Sequence, residues 1–429
     1  MKRIVDSRMG ETVCRDRLSG GLDFWAVPRL GSRQKAAVLC VDFGSVDLEI
    51  SARTAQRKMG LPAGTAHFIE HRLFEKKYGD ISDRFNALGG DINASTSFSS
   101  TVFTLKCVDN FAENLQLLFE LVFDFHVSAE GVAREREVIE RELRSSSDDP
   151  AWVGFLHGLK SLYGEVPISL DMAGTTQSIA AIDADILATC HEVFYRPEHM
   201  GLFLCGEFDC AAIAEFAEAD LAKYHRKEPQ WEKTMRPLTV PAPLATAGFQ
   251  LPINRPFTLF FFGDERVGIS GRELLRRELA FELALDIAFG SASDFFAKHY
   301  GEGLNIGDDF GAEVYVEPTF GFCVLGGFTE HGDQLADLVE VTLRRIEGWV
   351  DNDFRRAKHK AYGQLMRSCE QAEEIADFLC SAASNGAEPW DYFDVYEDIA
   401  VEHVCEVLHS CLSAGSMESV HIQPSGQSE

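Results

Sequence analysis

The sequence predicts an α+β protein of two similar halves, each an antiparallel or mixed sheet with helices packed on one face, joined by a proline-rich linker. Three observations carry this. Strand-like and helix-like stretches follow one another in much the same order before and after the middle of the chain. Six of the fourteen prolines (Pro229, Pro237, Pro241, Pro243, Pro252 and Pro256) crowd into 226–256, which reads as a linker with extended stretches. The 429 residues, 45% hydrophobic and 11% aromatic with 32 phenylalanines, can bury more than one core. The expected limits are 1–225 for the first domain, 226–256 for the linker and 257–429 for the second.

In order, residues 18–28 read as a turn and a strand, and 36–46 as a second strand ending at Gly44. Pro62, Gly64 and Thr65 punctuate the start of a helix, Lys76 and Lys77 suit its negative end, and Gly79 can stop it. A further helix at 81–88 stops at Gly89-Gly90. Residues 91–107 alternate polar and apolar as a hairpin that turns near Ser99-Ser100. Helices follow at 110–126, 128–147, 151–163 and 179–194, then a short apolar strand at 200–205. Beyond the linker come a strand at 257–262, a helix at 270–289, a glycine-rich stretch at 301–307, strands at 310–316 and 320–328, and helices near 331–350 and 352–371.

The net charge of −28 argues against nucleic acid as the main partner and against an anionic membrane surface. No apolar run approaches the ~20 residues of a spanning helix, and the N-terminus does not read as a signal peptide. Eleven cysteines without a C-x-x-C pair point to a reducing cytoplasm rather than to a disulfide framework or a cysteine zinc site.

Within the helix that begins near Thr65, His67, Glu70 and His71 form H-x-x-E-H. Residues four apart stack on one helix face, so both imidazoles can reach one metal ion, and the carboxylate of Glu70 can approach a water on it. This is the H-E-x-x-H arrangement with the glutamate at the other end. A solvent-facing helix carrying two histidines by chance is the bland alternative.

A catalytic zinc commonly has three protein ligands and a water. The helix at 128–147 offers five glutamates between 130 and 144, and periodicity sorts them. Glu135, Ile139 and Glu142 share a stripe that includes an apolar residue and so faces inward; Glu137, Arg141 and Arg144 share a solvated one; Glu140 is less clearly placed. Two inward carboxylates need a neutralising cation or a hydrogen-bond network.

H-x-x-E-H followed about seventy residues on by glutamates seven apart resembles the pitrilysin and insulinase type of zinc peptidase, the inverzincins, which include the mitochondrial processing peptidases. Leu18–Pro28 is similar to the family's opening strand and Gly44-Ser45 to the end of its second. Ala66–Phe74 resembles its active-site helix, Gly89–Thr96 its G-G-x-x-N-A-x-T string, and Tyr195–Gly206 its Y-x-P-x-N-M strand. The resemblance implies one Zn²⁺ per chain held by His67, His71 and Glu142 in a zinc-binding first domain. It implies Glu70 as general base, Glu135 as an outer glutamate orienting a histidine or the water, and Asn93, Ala94, Ser95 and Thr96 as an edge strand pairing with an extended peptide. The second domain would share the fold and hold no metal.

The family's second half often carries an arginine and a tyrosine in R-x-x-x-G-L-x-Y. Here Phe295–Ile306 keeps Gly303-Leu304, but His299 or Tyr300 stands in the arginine's place and Ile306 in the tyrosine's. Short bacterial members of this kind pair with a sister chain, some in maturation of ribosomally made peptides. The resemblance therefore implies a zinc endopeptidase subunit in a heterodimer whose sister supplies the Arg/Tyr clamp. A non-catalytic peptide-binding or escort subunit of the same fold is the rival.

Overall fold

The computed structural model describes residues 1–224, 228–243, 248–300, 304, 306–345, 351–413 and 417–425. Two compact units divide them. The first comprises Met1–Leu143, Asp171–Arg236 and Met366–Ser384; the second comprises Arg144–Leu170, Pro237–Leu365 and Asn385–Glu429.

The first unit holds a seven-stranded mixed sheet in the order Lys2–Asp6, Glu11–Arg17, Asp23–Pro28, Met200–Gly206, Lys35–Val41, Thr101–Cys107, Asp91–Thr96. Only Asp23–Pro28 and Met200–Gly206 run parallel. The second unit holds five strands in the order Phe249–Leu251, Met417–Pro424, Phe257–Gly263, Phe320–Phe328, Gly311–Glu317, and again only the first pair is parallel. Five successive strands of the first sheet thus repeat in the second with the same order and directions, each ending on the outer strand of a hairpin. The halves are duplicated in topology, although no sharp sequence repeat accompanies it.

Alternation explains one face of the first sheet. Phe24, Ala26, Leu39, Val41, Phe103, Leu105, Leu202 and Leu204 point into a core shared with the helix Phe111–Phe123. Trp25, Val38, Cys40 and Phe203 are equally buried but lie on the opposite face. Their cover is the helix Ala372–Ser384, packed on the strands Met200–Gly206 and Lys35–Val41. In return, the helix Pro150–Tyr163 packs on Phe257–Gly263 and Met417–Pro424 of the second unit. There a Cβ on Gly158 would fall 1.9 Å from Cε2 of Phe261, so the helix lies closer than any larger residue allows.

Helices on a single face were expected; the finding is a first sheet covered on both faces, on one of them by a helix drawn from the far half of the chain. The fully buried strand Met200–Gly206 is the local sign of this, because a strand with one wet face alternates. Because of the exchange, no single cut within 226–256 separates the two units. The 226–256 segment also carries strands of its own, Trp231–Lys233 on Glu49–Ala52 and Phe249–Leu251 on Met417–Pro424; residues 226, 227 and 244–247 lie outside the described residues.

Most expected elements appear within a few residues. The helix expected at 179–194 is two, Thr176–Ala180 and Ala184–Phe194, because Asp183 caps the second by accepting from the Ile186 amide at 2.9 Å. The helix near 331–350 spans Gly332–Arg344, and residues 346–350 lie outside the described ones.

Candidate metal centre

The helix carrying H-x-x-E-H runs Thr65–Phe74. Gly64 starts it in a left-handed conformation (φ 90°), where a Cβ would also strike the Ala173 carbonyl at 2.5 Å. Every residue of this helix is buried except His67, His71 and Phe74. At i, i+4 and i+7 these three form one stripe, the only face not committed to the core. The helix stops earlier than Lys76 and Lys77 suggest. Lys76 instead donates from Nζ to the carbonyls of Leu121 (2.8 Å) and Asp124 (2.6 Å), capping the C-terminal end of Phe111–Phe123.

The glutamates come from the helix Ala129–Ser146. Ser128 Oγ accepts from the Gly131 amide at its start, and Arg136 ties it to the Ile179 and Ile182 carbonyls at 3.2 and 2.8 Å. Ile139 is fully buried and so turns its stripe inward, while Glu137, Arg141 and Arg144 are exposed. Glu135 and Glu142 are thereby brought to His71: Nδ1 lies 3.0 Å from Oε1 of Glu135 and Nε2 lies 3.6 Å from Oε2 of Glu142.

One donor atom each from His67, His71 and Glu142 lies within 4.8 Å of the others, the one such group among the described residues. Zinc fits this set. Two imidazoles and a carboxylate are a common catalytic triad of ligands, and donors ~2.1 Å from a tetrahedral ion sit roughly 3.4 Å apart, so a small closure suffices. Nδ1 of His67 is buried without a hydrogen-bond partner, an orphan of the kind a ligand relieves. Burial, then the charge of His71, pushes the pKa of His67 down to about 4, so its imidazole is neutral and able to ligate. Burial also acts to lower that of His71, but the hydrogen bond to Glu135 and the charges of Glu142 and Glu70 outweigh it and the net shift is upward.

Glu70 is buried, and burial raises its pKa against the hydrogen bond it accepts from Thr96 Oγ1 at 2.8 Å. That bond is a role sequence reasoning missed: Thr96 was expected only as part of the edge strand that pairs with a peptide, and its hydroxyl in addition holds Glu70. Asp91–Thr96 is the outermost strand of its sheet, with Asn93 and Ser95 exposed and Ile92, Ala94 and Thr96 half-buried on the other face. Beside it opens a pocket of about 670 Å³ lined by Glu70, His71, Phe74, Glu75, Ile92, Ala94, Arg134 and Glu135 among others. Arg72 is the second residue missed. It is buried against Glu75 and Glu135, and no spacing rule singles out the neighbour of a ligand.

In the second unit, Ile306 is 1% exposed and bridges to Tyr300, so the residue in the tyrosine's place is core. His299 packs on Phe295, and Tyr300 is exposed. Gly303 lies outside the described residues, and Leu304 is buried.

A duplicated α+β chain with an inverted histidine–glutamate helix facing a distant glutamate defines a protein of the metallopeptidase type. Comparison with known proteins agrees. Residues 59–175 match the insulinase family (peptidase family M16), and residues 181–362 match the peptidase M16 inactive domain. The uncharacterized zinc protease YmfH of Bacillus subtilis is 30% identical over 440 residues, covering 99% of each chain. AlbF of the same species, also named as a zinc protease, is 25% identical across 72% of this chain and 73% of its own. A crystal structure of an M16-like peptidase from Alicyclobacillus acidocaldarius superposes with a TM-score of 0.89 at 28% identity, covering 97% of this chain and 99% of that one. The chain belongs to the M16 peptidase family.

Proposed function

We propose that this chain is the metal-bearing subunit of a zinc endopeptidase that cuts extended peptides. The observation that carries the reading is the convergence, in one unit, of a His67–His71–Glu142 donor set, a buried carboxylate beside it, and the outer edge of a sheet. When bound, one Zn²⁺ per chain would polarise the scissile carbonyl and lower the pKa of the attacking water. Glu70 accepts that water's proton and passes it to the leaving amine, and its raised pKa suits a group that must do both. Thr96 holds Glu70 in place through its hydroxyl, and Glu135 holds the ring of His71. The free edge of Asp91–Thr96 supplies backbone hydrogen bonds to an extended substrate whatever its sequence.

His299 packs on Phe295 and Ile306 is buried, so neither position supplies an arginine or a tyrosine, which supports a heterodimer in which a sister chain donates those groups to grip the substrate and steady the oxyanion. The resemblance to short bacterial members extends the proposal to maturation of a ribosomally made peptide. Among the described residues no helix is long and apolar enough to cross a membrane, and the described cysteines are free thiols, almost all buried, which suits a cytoplasmic location.

The test is peptide hydrolysis by the purified chain, alone and mixed with its sister subunit. Hydrolysis should appear on mixing, and Glu70→Gln should retain zinc yet lose at least ~10² in rate. Full activity in Glu70→Gln would remove Glu70 as the base. Undiminished activity from a monodisperse monomer would remove the sister chain. Zinc binding with no hydrolysis in either case would favour the peptide-holding role.

A further inference from the structure

We propose that Arg72 is a positioning residue for the metal ligand His71, acting through Glu135; the inference rests on the zinc reading above. Arg72 follows His71 in sequence but points about 100° round the helix, away from the donor set. It is 2% exposed. A guanidinium so deep must be paired, and its Nε has no hydrogen-bond partner, so an apolar side chain of the same length would fill the space at lower cost.

What an apolar residue would not supply is the ion-pair chain the guanidinium completes. Its Nη1 contacts Oε2 of Glu75 and stands 3.7 Å from Oε2 of Glu135. The other oxygen of Glu135 accepts from Nδ1 of His71 at 3.0 Å. The other oxygen of Glu75 takes Arg134. Charges therefore alternate from Arg134 through Glu75, Arg72 and Glu135 to the imidazole. Because Glu75 offsets the charge of Arg72, little net repulsion reaches a bound cation. What remains is geometric. With its far oxygen anchored, Glu135 keeps its near oxygen on Nδ1–H, which fixes the tautomer and turns Nε2 toward Glu142.

The glutamate helix closes over the same group. A Cβ on Gly131 would lie 2.7 Å from Nη2 of Arg72, so glycine there makes room for the guanidinium. Gly131→Ala consequently displaces Arg72 while leaving every ionisable side chain present, and alanine itself favours the helix.

The experiment measures zinc affinity of the full chain by chelator competition, with thermal melts on the same samples. Arg72→Met should weaken zinc about tenfold and Arg72→Lys less. Gly131→Ala should weaken it several-fold without lowering the melting temperature. In a Glu135→Ala background none of the three should weaken zinc further. Unchanged affinity in both Arg72→Met and Gly131→Ala, or losses that persist in full without Glu135, would overturn the proposal. Should Arg72→Met fail to fold, Gly131→Ala and Arg72→Lys decide the matter alone. Stoichiometric zinc in the wild type with no effect of the variants removes only the role of Arg72; absence of zinc from the wild type removes both readings.

Discussion

The donor set and its neighbours separate cleanly by variant. His67→Ala, His71→Ala and Glu142→Ala should each lose stoichiometric zinc in elemental analysis, while the exposed Glu137→Ala should keep it. Glu135→Ala should weaken zinc by roughly ten- to a hundredfold, as partners behind a ligand do. Retained zinc in Glu142→Ala with none in Glu135→Ala would exchange their roles. Acid should act through one histidine before the other. A protonated imidazole cannot ligate, and His71, its pKa raised by the hydrogen bond to Glu135 and the nearby carboxylates, keeps to higher pH than a free imidazole a proton that binding must displace. His67 is neutral down to about pH 4. Log affinity should therefore rise by one unit per pH unit from about 4 to the raised value of His71 and flatten above it. A slope of two around pH 6 in zinc titrations would show that both histidines are charged there.

The stripe of His67 and His71 and that of Glu135, Ile139 and Glu142 are legible at the level of single helices, because helical spacing alone decides which residues share a face. The hairpin is legible in the same way, whereas its register comes from the structure. Thr96 faces Thr101 and Ser95 faces Val102 in register. The Ser97 amide donates to the Ser100 carbonyl at 2.7 Å, so bonded and unbonded pairs alternate back from there. Ser95 and Asn93 spend their backbone groups on the neighbouring strand, while Ala94 and Thr96 direct theirs outward. Proline at each position tests this. Ala94→Pro removes an outward amide and no ladder bond, so it should keep zinc and fold but lower kcat/KM for peptides at least ~10-fold. Ser95→Pro breaks the ladder to Val102 and should lower the melting temperature. The reverse pattern would mean that the strand presents its other set of groups. What spacing does not reveal is the Thr96–Glu70 bond or the Arg72–Glu135 pair. Both join elements far apart in the chain, and each residue type is common in roles that touch nothing.

At the scale of the molecule, the exchanged helices set what can fold alone. A fragment ending at residue 236 lacks Ala372–Ser384, which covers Trp25, Val38, Cys40 and Phe203. Exposing four such side chains costs on the order of 6–10 kcal/mol, comparable with the whole stability of a domain. The 1–236 fragment should therefore be insoluble or bind a hydrophobic dye. A fusion that restores residues 366–384 and replaces 144–170, whose helix packs on the second unit, by a short linker should recover a cooperative melt and zinc binding. A cooperative melt from 1–236 by itself would show that the helix is dispensable.

The sequence by itself determined the fold class and which residues make up the candidate site. The H-x-x-E-H spacing, the inward glutamate stripe, the polar–apolar alternation of the hairpin and the proline-rich middle are all local patterns, and local patterns follow from backbone geometry. Tertiary structure alone decided which glutamate oxygen meets which imidazole nitrogen, that Thr96 serves Glu70, that Arg72 braces Glu135, and that each sheet borrows a helix from the opposite half. These are choices among partners of similar chemistry at long range. Ala372–Ser384 packs on Met200–Gly206 and Lys35–Val41, and Gly158 lets Pro150–Tyr163 approach Phe261; both contacts join residues far apart in the chain, which local patterns do not encode.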